Sequence, residues 1–138
     1  IATGKNWEIT AERVEHVQPY LDSLAYRIDS DEGSIVFSGD TRPCKSLTNL
    51  AYKADMLIME CVRTADDIKG TASAQSETDT IGAGKTAAEA EVKKLVLCHQ
   101  GIRLEKPEIK AQAIGEIRSM YGGPTIWGEE LLEIPWNS

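Results

Sequence analysis

Hydrophobic and polar residues alternate along the first forty positions, a pattern typical of half-buried β-strands. The alternation runs through residues 7–17 until Pro19 interrupts it, and it returns over residues 24–28. The polar run at residues 29–33 predicts a hairpin turn, with residues 35–38 as the returning strand. The first part of the chain is therefore predicted to form a small antiparallel sheet.

After this region the apolar spacing changes to that of helices alternating with buried strands. Thr41 is predicted to cap a helix that tolerates Pro43 in its first turn. The continuous apolar runs at residues 55–60 and 95–98 favour strands buried on both faces. Residues 63–80 are polar and without strong periodicity, so we expect a flexible loop there.

Two further helices are predicted from apolar positions at helical spacing, near residues 83–92 and over residues 107–121. Gly122 and Gly123 end the second one, and a last strand or two is expected within residues 125–134. A hairpin region followed by strands that alternate with helices indicates an α/β fold. We expect one domain, residues 1–138, in which helices cover one face of a mixed β-sheet.

The composition is that of an ordinary globular protein, with 41% hydrophobic and 27% charged residues among 138. The net charge of -7 argues against a nucleic-acid partner, because neutralising phosphates needs clustered Lys and Arg. No apolar stretch approaches the length of a membrane span, and no signal-peptide pattern opens the chain. The three cysteines lack C-x-x-C spacing, which favours reduced thiols in a cytoplasmic protein.

Three potential metal ligands each follow a predicted strand. Asp40 comes after residues 35–38 in a Gly-Asp-Thr turn, His99 comes directly after residues 95–98, and His16 ends the first alternating run. Working side chains in layered α/β domains gather at the carboxyl ends of strands, and imidazole with carboxylate suits divalent metals. Taken singly, each residue has a structural alternative, a turn-capping aspartate or a core or edge histidine.

Three segments together carry a resemblance to a known family. They are Ser-Gly-Asp-Thr-Arg-Pro-Cys at residues 38–44, Ala-Asp-Met-Leu-Ile-Met-Glu at residues 54–60 and Leu-Val-Leu-Cys-His at residues 95–99. In this order, after His16, they resemble the C-terminal half of a metallo-β-lactamase superfamily hydrolase, nearest to its arylsulfatase-like and ribonuclease Z-like branches. The resemblance implies half of an αββα sandwich.

The resemblance also implies a dinuclear centre holding two divalent metal ions, zinc first and iron or manganese as alternatives. His16 would complete the ligand set of the first metal, Asp40 would be the catalytic carboxylate that bridges both, and His99 would bind the second. A hydroxide between the metals would act as the nucleophile, since bound metals acidify water. The expected reaction is hydrolysis of a small ester, lactone, sulfate ester or phosphodiester.

One departure from the family limits this expectation. The His-x-His-x-Asp-His segment, which supplies four of the family's ligands, is absent, so neither metal reaches the three protein ligands usual for catalytic zinc. We therefore expect the chain to be inactive alone and to work as a homodimer or with a complementing N-terminal half. The alternative is a non-catalytic half-domain that serves as an interaction or dimerisation module.

Two differences from the family bear on the substrate. Transfer RNA-cutting members carry a long basic arm where this chain has residues 29–33, and a histidine near the position of residues 77–80. With the acidic net charge, these differences predict a small-molecule substrate and neither a nucleic-acid nor a membrane partner.

Glu60 would be either an acceptor for a metal-bound imidazole or a solvated charge at a strand end.

Overall fold

The computed structural model describes residues 1–135, and the strands in this range form one mixed sheet in chain order. Pairing is antiparallel from β1 to β4 and parallel from β4 to β7. The predicted mixed sheet is therefore confirmed. The strands are β1 (Ala2–Thr3), β2 (Trp7–Val14), β3 (Ser23–Ser30), β4 (Gly33–Phe37), β5 (Met56–Glu60), β6 (Leu95–Cys98) and β7 (Thr125–Trp127).

Helices connect the parallel strands and pack on one face of the sheet. They are α1 (Lys45–Leu50), α2 (Ala65–Ile68), α3 (Thr80–Glu89) and α4 (Pro107–Met120), with two 3-10 turns at Ala72–Gln75 and Ile102–Glu105. The core lies between them and a row of register partners in β4, β5 and β6, namely Val36, Leu57 and Leu95. None of the described helices has the length and apolar character needed to cross a membrane.

The other face of the sheet is apolar and partly bare. Side chains alternate between the two faces along a strand. The cross-strand row of residues that includes Phe37, the position after Val36, therefore points away from the helices. In that row Tyr26 and Phe37 pair across β3 and β4 and are 43% and 40% exposed. Trp7 and Leu24 are also exposed large hydrophobic residues of these strands. Large apolar side chains exposed on one face make this face a candidate contact surface.

The prediction that Thr41 caps the first helix is wrong, because α1 begins at Lys45 with Cys44 as its N-cap residue. The Thr41 hydroxyl instead accepts from the Glu15 N–H at 3.1 Å and donates to the Glu15 carbonyl at 3.0 Å. The Thr41 N–H donates to the Glu60 carboxylate at 2.8 Å. The residues after Asp40 therefore connect β2 to β5 instead of opening a helix.

One prediction about an irregular region also needs correction. Residues 63–80, expected to be a loop, contain α2 and a 3-10 turn, and Thr64 caps α2 by accepting from the Asp67 N–H at 3.3 Å. Elements of four residues are too short to produce a visible apolar period, which is why the sequence pattern did not predict them. Of the last strand or two expected within residues 125–134, one forms, β7.

Gly39 shapes the turn that carries Asp40. Its φ angle is +61°, in the left-handed region, and a Cβ atom there would lie 2.6 Å from the Leu24 carbonyl oxygen. The turn therefore needs glycine both for its backbone conformation and for its close approach to β3.

Substituting three glycines tests this requirement. Gly39→Ala should lower the free energy of unfolding by about 1–3 kcal/mol, since strain and a clash act together. Gly70 also has a positive φ angle, but nothing lies close to a Cβ atom built there. We therefore expect Gly70→Ala to lower the free energy of unfolding by less. Gly115→Ala, in open space within α4, should add about 0.5–1 kcal/mol. Urea unfolding measures all three, and equal losses for Gly39→Ala and Gly70→Ala would contradict the close approach.

Asp55, which precedes β5, links β4 to the segment before β6. Its Oδ2 accepts from the Ser34 N–H at 2.7 Å and from the Ser34 hydroxyl at 3.0 Å, and its Oδ1 lies 2.7 Å from Lys93 Nζ. The Lys93 hydrogen bond, assisted by Ser34, lowers the pKa of Asp55 below its ordinary value of 3.8. An acid whose pKa is depressed on folding stabilises the fold above its unfolded-state pKa, and this stabilisation disappears as the pH falls through the folded-state value.

We expect Asp55→Asn to lower the free energy of unfolding at pH 7 by about 1–2 kcal/mol, because a charged acceptor is lost. The difference from wild type should shrink below pH 4 and vanish once Asp55 is protonated in the folded state. Urea unfolding between pH 7 and pH 2.5 measures it. Asp22→Asn is the matched control, since Asp22 forms an ion pair with Arg13 at an exposed site, where pairs contribute little. A pH-independent deficit would show that Asp55 acts through shape alone.

Candidate metal centre

Asp40 and His99 lie at the same edge of the sheet, as predicted. Strands β4 and β6 flank β5 and run parallel to it, so their carboxyl ends meet at one edge. Asp40 follows β4, His99 follows β6, and His99 Nδ1 lies 3.0 Å from Asp40 Oδ1. Both side chains are about half exposed. An acidic oxygen and an imidazole nitrogen are thus brought together from positions 59 residues apart.

Glu60 ends β5 between these two residues, and its side chain is only 1% exposed. Its Oε1 accepts from the Thr41 N–H at 2.8 Å and from the Thr78 N–H at 3.2 Å. Its Oε2 is buried without a hydrogen-bond partner, and His99 Nδ1 lies 3.5 Å away. Of the two alternatives for Glu60, the solvated strand-end charge is therefore wrong.

Burial controls the acidity of Glu60. Its pKa is raised from the ordinary value of 4.5 to about 7, chiefly because the group is removed from water and in smaller part because of the nearby Asp40 charge. The hydrogen bonds from Thr41 and Thr78 act in the opposite direction, because they favour the charged carboxylate. Glu60 is thus a buried acid whose charge is only partly compensated by protein groups.

Three potential ligand residues form one compact group: one ligand atom each from Asp40, Glu60 and His99 lie within 4.8 Å of one another. Two carboxylates and one imidazole suit divalent zinc, manganese or iron. Neither neighbouring cysteine, Cys61 or Cys98, belongs to this group. Burial raises the pKa of the Cys61 thiol to about 12 and that of the Cys98 thiol to about 11.

His16 does not belong to this group. It is half-buried and its Nδ1 lies 2.7 Å from the Ser76 carbonyl oxygen. A carbonyl only accepts, so Nδ1 carries the proton, and Nε2 keeps its lone pair in the neutral ring. The Arg42 N–H donates to the Glu15 carbonyl at 2.7 Å, which holds the His16 segment beside the Asp40 turn. A role of His16 as a metal ligand stays a prediction.

The sequence alone left Glu60 undecided for a physical reason. Its Oε1 partners lie 19 and 18 residues away, on two segments that were expected to be a helix start and a loop. The one available signal was position, since Glu60 ends the strand between those that precede Asp40 and His99.

Comparisons with known proteins agree with this geometry. No protein-family model matches the chain. Ribonuclease Z from Bacillus licheniformis is 34% identical over 87 residues, which are 63% of this chain and 28% of that protein. The metallo-β-lactamase fold protein YhfI from Bacillus subtilis superposes with a TM-score of 0.76 at 22% identity, covering 93% of this chain and 49% of that structure. The short form of human tRNase Z superposes with a TM-score of 0.69 at 18% identity, covering 98% and 46%.

These relatives contradict one prediction made from the sequence. A small-molecule substrate and no nucleic-acid partner were expected, yet the matched relatives are ribonuclease Z proteins and a tRNase Z. Net charge summed over a chain says little about one site. Here the candidate site is built from cation-binding groups, and bound cations neutralise phosphate charge in place of Lys and Arg.

The chain spans about half the length of the two solved structures, and its matched segment covers less than a third of the ribonuclease Z. The arylsulfatase-like label stays untested. The sheet order, the placement of Asp40 and His99 and these relatives show that the chain has a metallo-β-lactamase-type fold and is similar in sequence to ribonuclease Z.

Proposed function

We propose that the chain is part of a metal-dependent phosphodiesterase that hydrolyses RNA, and that it needs a second segment carrying further metal ligands. The observation that carries the proposal is the meeting of Asp40, Glu60 and His99 at one sheet edge in a chain related to ribonuclease Z. The substrate class comes from those relatives, and the chemistry comes from the site.

The residues present fit a divalent metal. The supporting observation is Glu60 Oε2, a buried carboxylate oxygen that lacks a hydrogen-bond donor beside two other potential ligands. Asp40 and His99 would hold a metal at this edge, with His16 as a further ligand and zinc as the first choice of ion. When bound, the metal would supply a Lewis acid and lower the pKa of water.

The protein's own contribution is orientation. Hydrogen bonds from Thr41 and Thr78 fix the Glu60 carboxylate, and the strand ends fix Asp40 beside His99. Arg42, the nearest basic residue along the chain, is engaged with the Glu15 carboxylate through its Nε at 2.8 Å. Phosphate contacts in the proposed enzyme would therefore come chiefly from metal ions and from the second segment, which agrees with the acidity of this chain.

The bare sheet face supports the need for a second segment. Tyr26 and Phe37 lie about 40% exposed on the face opposite the helices, where a sandwich fold packs a second sheet. We propose that a complementing N-terminal segment covers this face and brings the missing ligands to the edge at Asp40. The three free cysteines support a cytoplasmic location for the assembled enzyme.

Reconstitution tests the proposal. The chain alone should not cleave a precursor transfer RNA transcript with Zn²⁺ or Mn²⁺ present, whereas adding the N-terminal half of the Bacillus licheniformis ribonuclease Z, fused or in trans, should produce cleavage. Gel analysis of labelled RNA measures the activity, and chelation should abolish it. A reconstituted and folded complex that binds metal but cleaves no RNA would contradict the proposal.

Substitutions in the reconstituted enzyme should separate the roles of the candidate ligands. We expect Asp40→Asn to reduce kcat by more than about 100-fold, above the 10–100-fold typical of residues that only orient ligands. Asp31→Asn, at an exposed hairpin position, should change nothing. His16→Ala should also reduce kcat if His16 binds metal. Full activity of His16→Ala would remove His16 from the ligand set and leave the rest of the proposal standing.

A further inference from the structure

We propose that the C-terminal segment, residues 129–135, covers part of the sheet face on which the complementing N-terminal segment would dock, so that docking displaces it. The inference rests on the proposed function in taking the N-terminal segment as the partner. It adds that the chain carries its own cover over the parallel half of this face.

Burial along one cross-strand row shows where this face is covered. The register partners of this row, from β3 to β7, are Tyr26, Phe37, Ile58, Val96 and Ile126. Exposure in the row falls from 43% at Tyr26 and 40% at Phe37 to 3% at Val96. Because the helices pack on the opposite face, a different part of the chain covers Val96.

The C-terminal segment follows β6 along this face. It begins at the carboxyl end of β6, where the Gly128 N–H donates to the Leu97 carbonyl at 2.9 Å. It reaches the amino end of β6, where Lys94 Nζ donates to the Pro135 carbonyl at 3.1 Å. Lys94 lies two positions before Val96, so the two side chains share a face. The segment therefore spans the length of β6 on the face opposite the helices.

The contact between the segment and the sheet is incompletely packed. A cavity of about 320 Å³ is lined by Val96 and His99 on the sheet side and by Leu132 and Ile134 on the segment side. Protein interiors hold few voids larger than a water molecule. Leu131 is 100% exposed and Leu132 is 45% exposed. A partner that fits the sheet more closely would bury more apolar surface than the segment does.

The segment and a second sheet cannot occupy this part of the face together. Packed sheets stand about 10 Å apart with side chains filling the space between them, which leaves no room for a further layer of backbone. Glu129, Glu130 and Glu133 of the segment are exposed, and covering them would bury charges at an energetic cost. The missing ligands must reach the edge at His99, directly after β6, so docking has to extend over the segment's position.

Binding of the N-terminal half of the Bacillus licheniformis ribonuclease Z tests the inference. If the segment is open in about 1–10% of molecules, a variant that ends at Gly128 should bind about 10–100-fold more tightly than the wild type, because apparent affinity scales with the competent fraction. Ile134→Asp, which puts a charge in the cavity wall, should bind more tightly by a smaller factor. Ile102→Asp, at an exposed position outside the segment, should bind as the wild type does.

Isothermal titration calorimetry measures the four affinities, and circular dichroism with thermal unfolding establishes that each form is folded. Ile134→Asp decides the matter if the variant ending at Gly128 does not fold. Equal or weaker binding by the folded variants would overturn the inference, since the segment would then be neutral or part of the interface.

The RNA cleavage assay separates this inference from the proposed function. Tighter binding by the variants without RNA cleavage would support the inference and contradict the proposed function. Cleavage with unchanged affinities would do the opposite, and binding by none of the forms would overturn both.

Discussion

The structure of the candidate site depends on one buried carboxylate, that of Glu60, at the end of β5. Through Oε1 it holds the segment after β4 at Thr41 and the segment before α3 at Thr78. Those two segments also contact each other, since the Thr78 hydroxyl donates to the Thr41 carbonyl at 2.6 Å. The position of Asp40 relative to His99 is therefore fixed by hydrogen bonds that converge on an acid buried inside the fold. Burying this acid has an energetic cost, which appears as its raised pKa.

The two halves of the sheet contribute different things. The parallel half, β4 to β7, brings the carboxyl ends of strands to one edge and is covered by helices. The antiparallel half, β1 to β4, extends a sheet whose second face carries exposed Tyr26 and Phe37. Ligands and contact surface are thus separate features of one sheet. The parallel half brings the candidate metal ligands together, and the antiparallel half carries the exposed apolar face on which the proposed second segment would dock.

Much of the fold could be predicted from the sequence because its elements have clear apolar periods. The strands at β5 and β6 and the long helix α4 are of this kind, and a parallel arrangement of such strands places Asp40 and His99 together. The start of α1 and the structure within residues 63–80 could not be predicted. They depend on hydrogen bonds that the Thr41 and Thr64 hydroxyls accept from the N–H groups of Glu15 and Asp67, rather than on periodicity. Glu60 was recognised as a candidate, but its burial depends on two segments distant in the chain.

The prediction of no nucleic-acid partner was wrong because net charge does not describe the charges at one site. A charge of -7 describes the long-range field of the chain, whereas catalysis on a phosphodiester depends on charges within a few ångströms of the reacting group. At Asp40 and Glu60 the nearby charges are negative, which repels phosphate in the metal-free protein and attracts divalent cations. A divalent cation would neutralise the two carboxylates and a second cation would make the site positive, so an acidic chain and an RNA substrate are compatible. Because the proposed metal ions, second segment and RNA would all bind at this edge of the sheet, their binding free energies would be thermodynamically linked.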